Sequence, residues 1–227
     1  MRPGVILSIS LLLCFIPVRF VSSQDYSIVF SHADVNNGLS DNWVKSIYRD
    51  SKGFIWFGTN SGLNRFDGYD FEVFSHSAAD SLSIADNVIN AITEDSEGNL
   101  WVGTRSGISV LDGDSYTFSG VNLVPSMPLA CQDIAYITAM VTGESGDLLI
   151  GTHNGLFLFN HISKSFRHLL PDEQSCSSEL NNITAIAPDK DGSYWIGTSN
   201  CFIFRFLPQT NSFEKFECRK GMNENSG

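Results

Sequence analysis

The sequence predicts an all-β chain built of β-propeller blades, four four-stranded antiparallel blades that read as part of a larger, incomplete propeller. Three observations carry that prediction. First, a Gly-Thr pair closes an apolar run four times, at Gly58, Gly103, Gly151 and Gly197, so the spacings are 45, 48 and 46 residues. Second, fixed offsets precede each pair: an apolar residue eleven before (Ile47, Ile92, Met140, Ile186) and a Gly five before (Gly53, Gly98, Gly146, Gly192). Third, each copy holds four short strand patterns and no helical period. A repeat of about 40–45 residues with four strands has the size of a propeller blade.

The elements follow in order. In the first copy "VKSIYRD" (44–50) alternates as a half-buried strand does. "DSKG" turns: Asp50 can accept backbone N–H groups two residues on, and Gly53 supplies a positive φ. "FIWFGT" (54–59) is nearly all apolar, as a strand covered on both faces must be. "NSG" turns again, "GLNRF" (62–66) is a third strand, "DG" (67–68) a hairpin turn and "FEVF" (71–74) a fourth strand. The expected boundaries are 44–80, 81–130, 131–176 and 177–220 for the four blades, with 24–43 as a closing strand and lead-in and 221–227 as a tail. A lone four-stranded sheet cannot hide two apolar faces, and stacking blades buries both. "SFEKFE" (212–217) already gives the fourth blade an outer strand, so "YSIVF" (26–30) has no slot there in which to close a ring. That is why the propeller reads as incomplete.

Residues 1–23 read as a signal peptide, with Arg2, an apolar run from Val5 to Phe15, and Val21 and Ser23 suiting a cleavage site before Gln24. An uncleaved anchor is the alternative reading. The run is short for a membrane-spanning helix, and no direct membrane contact is expected of the mature chain. Removing Arg2 and Arg19 lowers Lys plus Arg from 14 to 12 against 25 acidic residues, taking the net charge from −11 to −13. Such a surface repels phosphate backbones and anionic lipid, which excludes nucleic acid as a natural partner. The five His show no metal-ligand spacing and there is no C-x-x-C, so neither a metal nor a cofactor is expected.

Asp50, Asp95 and Asp189 stand eight residues before their Gly-Thr pairs, and Trp56, Trp101 and Trp195 two before. The third copy has Gly143 and Leu149 in those slots. One Asp per blade is too widely spaced for paired acid catalysis, so these Asp are read as turn caps. The Trp are read as packing between blades.

These residues carry a family likeness. "DSKGFIWFGTNSGLNRFDG" (50–68) closely resembles the two-component regulator propeller repeat, and "FSHADVNNGLSDNWVKSI" (30–47) resembles the lead-in to its first blade. The resemblance covers residues 30 to about 217. It implies the periplasmic sensor region of a Bacteroidetes-type hybrid two-component sensor histidine kinase, with oligosaccharide inputs. The partners then expected are further blades, a partner sensor domain or a second copy. The departures are Gly143, Leu149, and Cys201 where other copies have Gly62, Gly107 and Gly155. No phospho-accepting His motif or ATP-binding Gly box is present, so kinase activity is assigned only to a part outside this sequence.

In a propeller the turns between second and third strands and the links between blades open on one face. The sequence aligns Asn60, Arg105, His153 and Asn200 in those turns, and Trp43, Asn87, Tyr136 and Asn182 immediately before innermost strands. Aromatic platforms beside planar donors suit a sugar. The same residues also make ordinary solvated turns, so the expectation is of a face and not of single contacts. Two disulfides are expected after export. If Phe206 pairs with Phe213, Cys201 faces Cys218, while Cys131 and Cys176 lie in successive links. A propeller lyase, similar to streptogramin lyases, and a purely structural interaction propeller are the alternatives to a sensor.

Overall fold

The computed structural model describes residues 32–121, 123, 136–169, 180 and 182–217. The architecture lies within Ala33–Gly227. Among the described residues, sixteen strands form four separate four-stranded antiparallel sheets, each in simple meander order. Blade 1 holds β1 (Val44–Arg49), β2 (Ile55–Thr59), β3 (Leu63–Phe66) and β4 (Phe71–Phe74). Blade 2 holds β5 (Ile89–Glu94), β6 (Leu100–Thr104), β7 (Gly107–Leu111) and β8 (Phe118–Val121). Blade 3 holds β9 (Ile137–Thr142), β10 (Leu148–Thr152), β11 (Gly155–Asn160) and β12 (Ser165–Leu169). Blade 4 holds β13 (Ile183–Pro188), β14 (Tyr194–Thr198), β15 (Phe202–Leu207) and β16 (Ser212–Glu217). The first strand of each blade packs against the first strand of the next, β1 on β5, β5 on β9 and β9 on β13.

The second strand of each blade explains the apolar run. Successive side chains point to opposite faces. In β6, Leu100 and Val102 join the cluster shared with Trp56 of blade 1, while Trp101 joins the cluster shared with Ile150 and Phe157 of blade 3. A third cluster joins Leu149 and Leu156 of blade 3 to Ile183, Ile196 and Phe204 of blade 4. We call the face toward the preceding blade leading and the other trailing.

The Gly of each Gly-Thr pair is an inter-blade contact. A Cβ on Gly58, Gly103 or Gly151 would stand 2.7, 2.4 and 2.5 Å from Cγ2 of Ile89, Ile137 and Ile183, each the first residue of the next blade. The Thr beside it closes the turn that follows. Thr59 Oγ1 donates to the Gly62 carbonyl at 2.9 Å and accepts the Ser61 N–H at 3.0 Å, and Thr104 and Thr152 repeat both bonds.

The Asp that recurs in three copies does more than turn the chain. Asp50 Oδ1 accepts the Phe54 N–H at 2.8 Å, and its Oδ2 accepts the indole N–H of Trp56 at 2.7 Å. Asp95 and Asp189 hold Trp101 and Trp195 in the same way, both at 2.9 Å. Asp and Trp form one unit, which is why the third copy lacks both. Trp56 and Trp101 are buried between blades as expected. Trp195 is only half-buried on the trailing face of blade 4, beside Phe216 and under Arg205.

The register of β15 and β16 matches Phe206 to Phe213 and Phe202 to Glu217. Cys201 precedes β15, exposed, with its thiol free and φ at +64°. Cys218, Cys131 and Cys176 lie outside the described residues.

Candidate functional site

The first strand of every blade carries a bulge in the same place. In β1 Val44 pairs with Thr59 and Ser46 with Gly58, leaving Lys45 extra. Asn90, Thr138 and Thr184 are the extra residues of β5, β9 and β13. A bulge re-aims a side chain out of the ladder. Here all four extra residues line one open cleft of about 420 Å³ where the first strands converge, together with Tyr136, His153, Asn182 and Ser199.

Within it, Lys45 Nζ donates to Asn90 Oδ1 at 3.1 Å, and Asn90 Nδ2 donates to the Ile137 carbonyl at 2.8 Å. The rings of Tyr136 and His153 stack with centroids 4.3 Å apart and planes 8° from parallel. Backbone bonds fix their positions. The His153 N–H donates to the Tyr136 carbonyl at 3.2 Å, and the Asn182 N–H donates to the His153 carbonyl at 2.9 Å. Asn182 adopts a positive φ of 52°, which Asn tolerates better than most residues. The Thr138 hydroxyl is buried and has no hydrogen-bond partner. The cleft thus offers one ammonium, two amides, three hydroxyls and a flat aromatic pair, a set able to bind a neutral polar ligand by hydrogen bonds and stacking.

Three of the eight sequence-predicted residues meet there: Tyr136, His153 and Asn182. The others do not. Trp43 is 69% exposed over a separate shallow groove formed by Asp41, Asn42 and Val44. Asn60 is half-buried in its turn. Arg105 pairs with Asp86, Nε to Oδ2 at 3.3 Å. Burial pulls the Asp86 carboxyl up, but Ser106, the Val88 N–H and Arg105 outweigh it and hold it below the usual range. Asn87 is occupied: its backbone carbonyl accepts the Gly62 N–H and its amide oxygen accepts the His76 N–H. Two of the eight were placed one residue out of register. Val88, not Asn87, directly precedes β5, and Ser199, not Asn200, stands two residues after its repeat Gly. Lys45, Asn90, Thr138 and Thr184 were missed. The signal was available: thirteen residues before each repeat Gly, a polar residue stands in a strand.

The family model described as two component regulator propeller matches residues 38–61, 83–106 and 177–200. Each range runs from the link before a blade through its first two strands. Three of the four copies match the two-component regulator propeller repeat. The matched ranges fall on blades 1, 2 and 4, those that keep the Asp–Trp pair. A curated relative, histidine kinase P4 of Formosa agariphila, is 36% identical over 63 residues, which is 28% of this chain and 5% of the kinase. Among solved structures, the extracellular domain of the putative hybrid two component system BT4673 from B. thetaiotaomicron aligns at TM-score 0.64 and 22% identity, over 79% of this chain and 25% of that one. That of BT3049 from the same organism aligns at 0.53 and 26%, over 81% and 31%. A catalytically inactive virginiamycin B lyase from Staphylococcus aureus, with quinupristin, aligns at 0.60 and 16%, over 81% and 57%. At that identity the lyase shares the fold alone. The chain spans about a quarter of the BT4673 domain and a small part of the kinase.

Proposed function

We propose that this propeller is the exported, ligand-sensing region of a two-component sensor, acting in the periplasm, that it binds a fragment of a glycan in the cleft between the first strands, and that it is not itself catalytic. The observation that carries the reading is the recurrence of one bulge in four blades, each delivering a polar side chain to the same cleft beside the stacked Tyr136–His153 pair. A sugar ring presents an apolar face to an aromatic platform and hydroxyls to amides and ammonium groups. The likeness to extracellular domains of hybrid two-component systems supports the sensing role. Further blades, a partner sensor domain or a second copy would cover the exposed blade faces, and the signal would pass through them.

The test is an oligosaccharide panel read by isothermal titration calorimetry. One class of glycan fragment is expected to bind, and Tyr136→Ala should weaken it about tenfold or more, as loss of a stacking platform of about 1.5 kcal/mol does. Binding that survives both Tyr136→Ala and Asn90→Ala unchanged would remove the cleft from the reading.

A further inference from the structure

The second polar opening lies at the other end of the blades, between the turns that enter the second strands of blades 3 and 4. Between blades 1 and 2 the corresponding space is small, about 20 Å³. There the Glu94 carboxylate takes both the Ser51 N–H at 2.8 Å and its hydroxyl at 2.6 Å, and Asp50 takes the Trp56 indole. Between blades 3 and 4 the opening is about 710 Å³. Two departures from the repeat line it: Gly143 replaces the Asp, and Tyr194 takes the Ile55, Leu100 and Leu148 position. A third, Leu149 in the Trp slot, lies behind them in the third cluster.

The exchange is one of size across the interface. Trp faces Leu between the earlier blades, whereas Leu149 and Tyr194 share the third cluster. Tyr194 is 7% exposed, and its hydroxyl lies 2.1 Å from where a Cβ on Gly143 would stand. Any side chain at residue 143 would fill the place of that hydroxyl. Among the described residues no group hydrogen-bonds the hydroxyl, which stands open at the cleft wall and can bond a ligand there. Around it stand the carboxylates of Glu144, Asp147 and Asp189, against the single ammonium of Lys190. Asp147 is engaged with His161 at 2.9 Å and Asp189 with Trp195, while Glu144 is exposed at the mouth.

We infer that this cleft binds a ligand carrying a primary ammonium or guanidinium group, which donates to the Tyr194 hydroxyl and faces Glu144 and Asp147. Burial first, then the charges of Asp147 and Glu144, raise the Tyr194 phenol above its ordinary range. The phenol is therefore neutral at physiological pH, with the acidic residues felt at its oxygen. A cation supplies the donors that the phenol oxygen and carboxylates lack, and the prolines Pro188 and Pro208 give its hydrocarbon part an apolar wall.

The experiment uses the whole chain labelled with 3-fluorotyrosine and observed by fluorine NMR near pH 7.5, the Tyr194 resonance being assigned by its loss in Tyr194→Phe. The probes are agmatine, N-acetyl-arginine amide and, as the neutral control, sorbitol. A saturable shift of the Tyr194 resonance with either cation, weakened about two- to fivefold in Glu144→Gln, is the expected result. Preference for agmatine marks a free amine as the source, and preference for the arginine amide marks a peptide segment. No shift with either cation, an equal shift with sorbitol, or full affinity in the exposed, fold-neutral Glu144→Gln would overturn the site.

Discussion

At the scale of single residues, the hydrogen bond between Asp95 and the Trp101 indole is the unit that the repeat preserves. Burial raises the Asp95 carboxyl, but bonds from Trp101, Asn99 and the Glu97 N–H outweigh burial and leave it below the usual range. A carboxyl depressed in the folded state adds stability above its unfolded value, lost as pH falls through the folded one. Asp95→Ala is expected to cost about 1–3 kcal/mol, since it orphans a buried indole N–H, and to flatten the acid limb of the stability curve. Urea unfolding between neutral and acid pH measures both. His168 makes the complementary case. Burial lowers it, its ring lies on Phe157 with centroids 4.5 Å apart, and its Nδ1 is buried without a partner. The unfolded chain takes up this proton at higher pH than the folded chain. Stability is full above the ordinary histidine range and falls as pH drops through it. His168→Gln should remove that slope between pH 7 and 5, and an unchanged slope would place the titration elsewhere.

At the scale of elements, blades meet through a Gly on one strand and an Ile on the next. Gly103→Ala drives a Cβ to 2.4 Å from Ile137 Cγ2, and the cost expected for such overpacking is about 1–3 kcal/mol. Gly197→Ala meets the rotatable Thr184 hydroxyl at 3.3 Å and the Ala185 Cβ at an ordinary 3.9 Å, and should shift the melting temperature far less. Equal shifts would deny the Gly its role between blades. Elements are also where the sequence was most and least legible. Periodicity placed β2, β6, β10 and β14, because burial on both faces writes an unbroken apolar run. Turn chemistry placed Gly53, Gly98, Gly146 and Gly192, all at positive φ. The bulges at Lys45, Asn90, Thr138 and Thr184 were not read, because a bulge is a mismatch between two strands and a strand pattern describes one. The same blindness to pairing put Asn87 and Asn200 one residue off. The Asp–Trp bond was half visible: both slots were empty in the third copy, yet only contact geometry shows that one residue holds the other.

At the scale of the whole molecule, two blade faces have no blade against them among the described residues. The leading face of blade 1 exposes Ile47 to 65%, whereas Ile92, at the same position of blade 2, is 7% exposed behind blade 1. The trailing face of blade 4 exposes Phe216 to 44% and Ile203 to 38%. The two faces are complementary in kind, since each interior interface joins a trailing face to a leading one. Ile92→Thr gives up buried apolar surface and places a hydroxyl in a core, and about 1–3 kcal/mol of destabilisation is expected. Ile47→Thr removes an exposed side chain, so a change within about 0.5 kcal/mol is expected. Apolar faces of this extent drive association. Sedimentation velocity should therefore show self-association of the chain that weakens when Ile47 and Phe216 are both changed to Glu, with thermal stability kept. If the double variant associates as strongly as the parent, the contacts lie elsewhere. If Ile47→Thr is as damaging as Ile92→Thr, Ile47 is covered in solution and the leading face of blade 1 is already an interface.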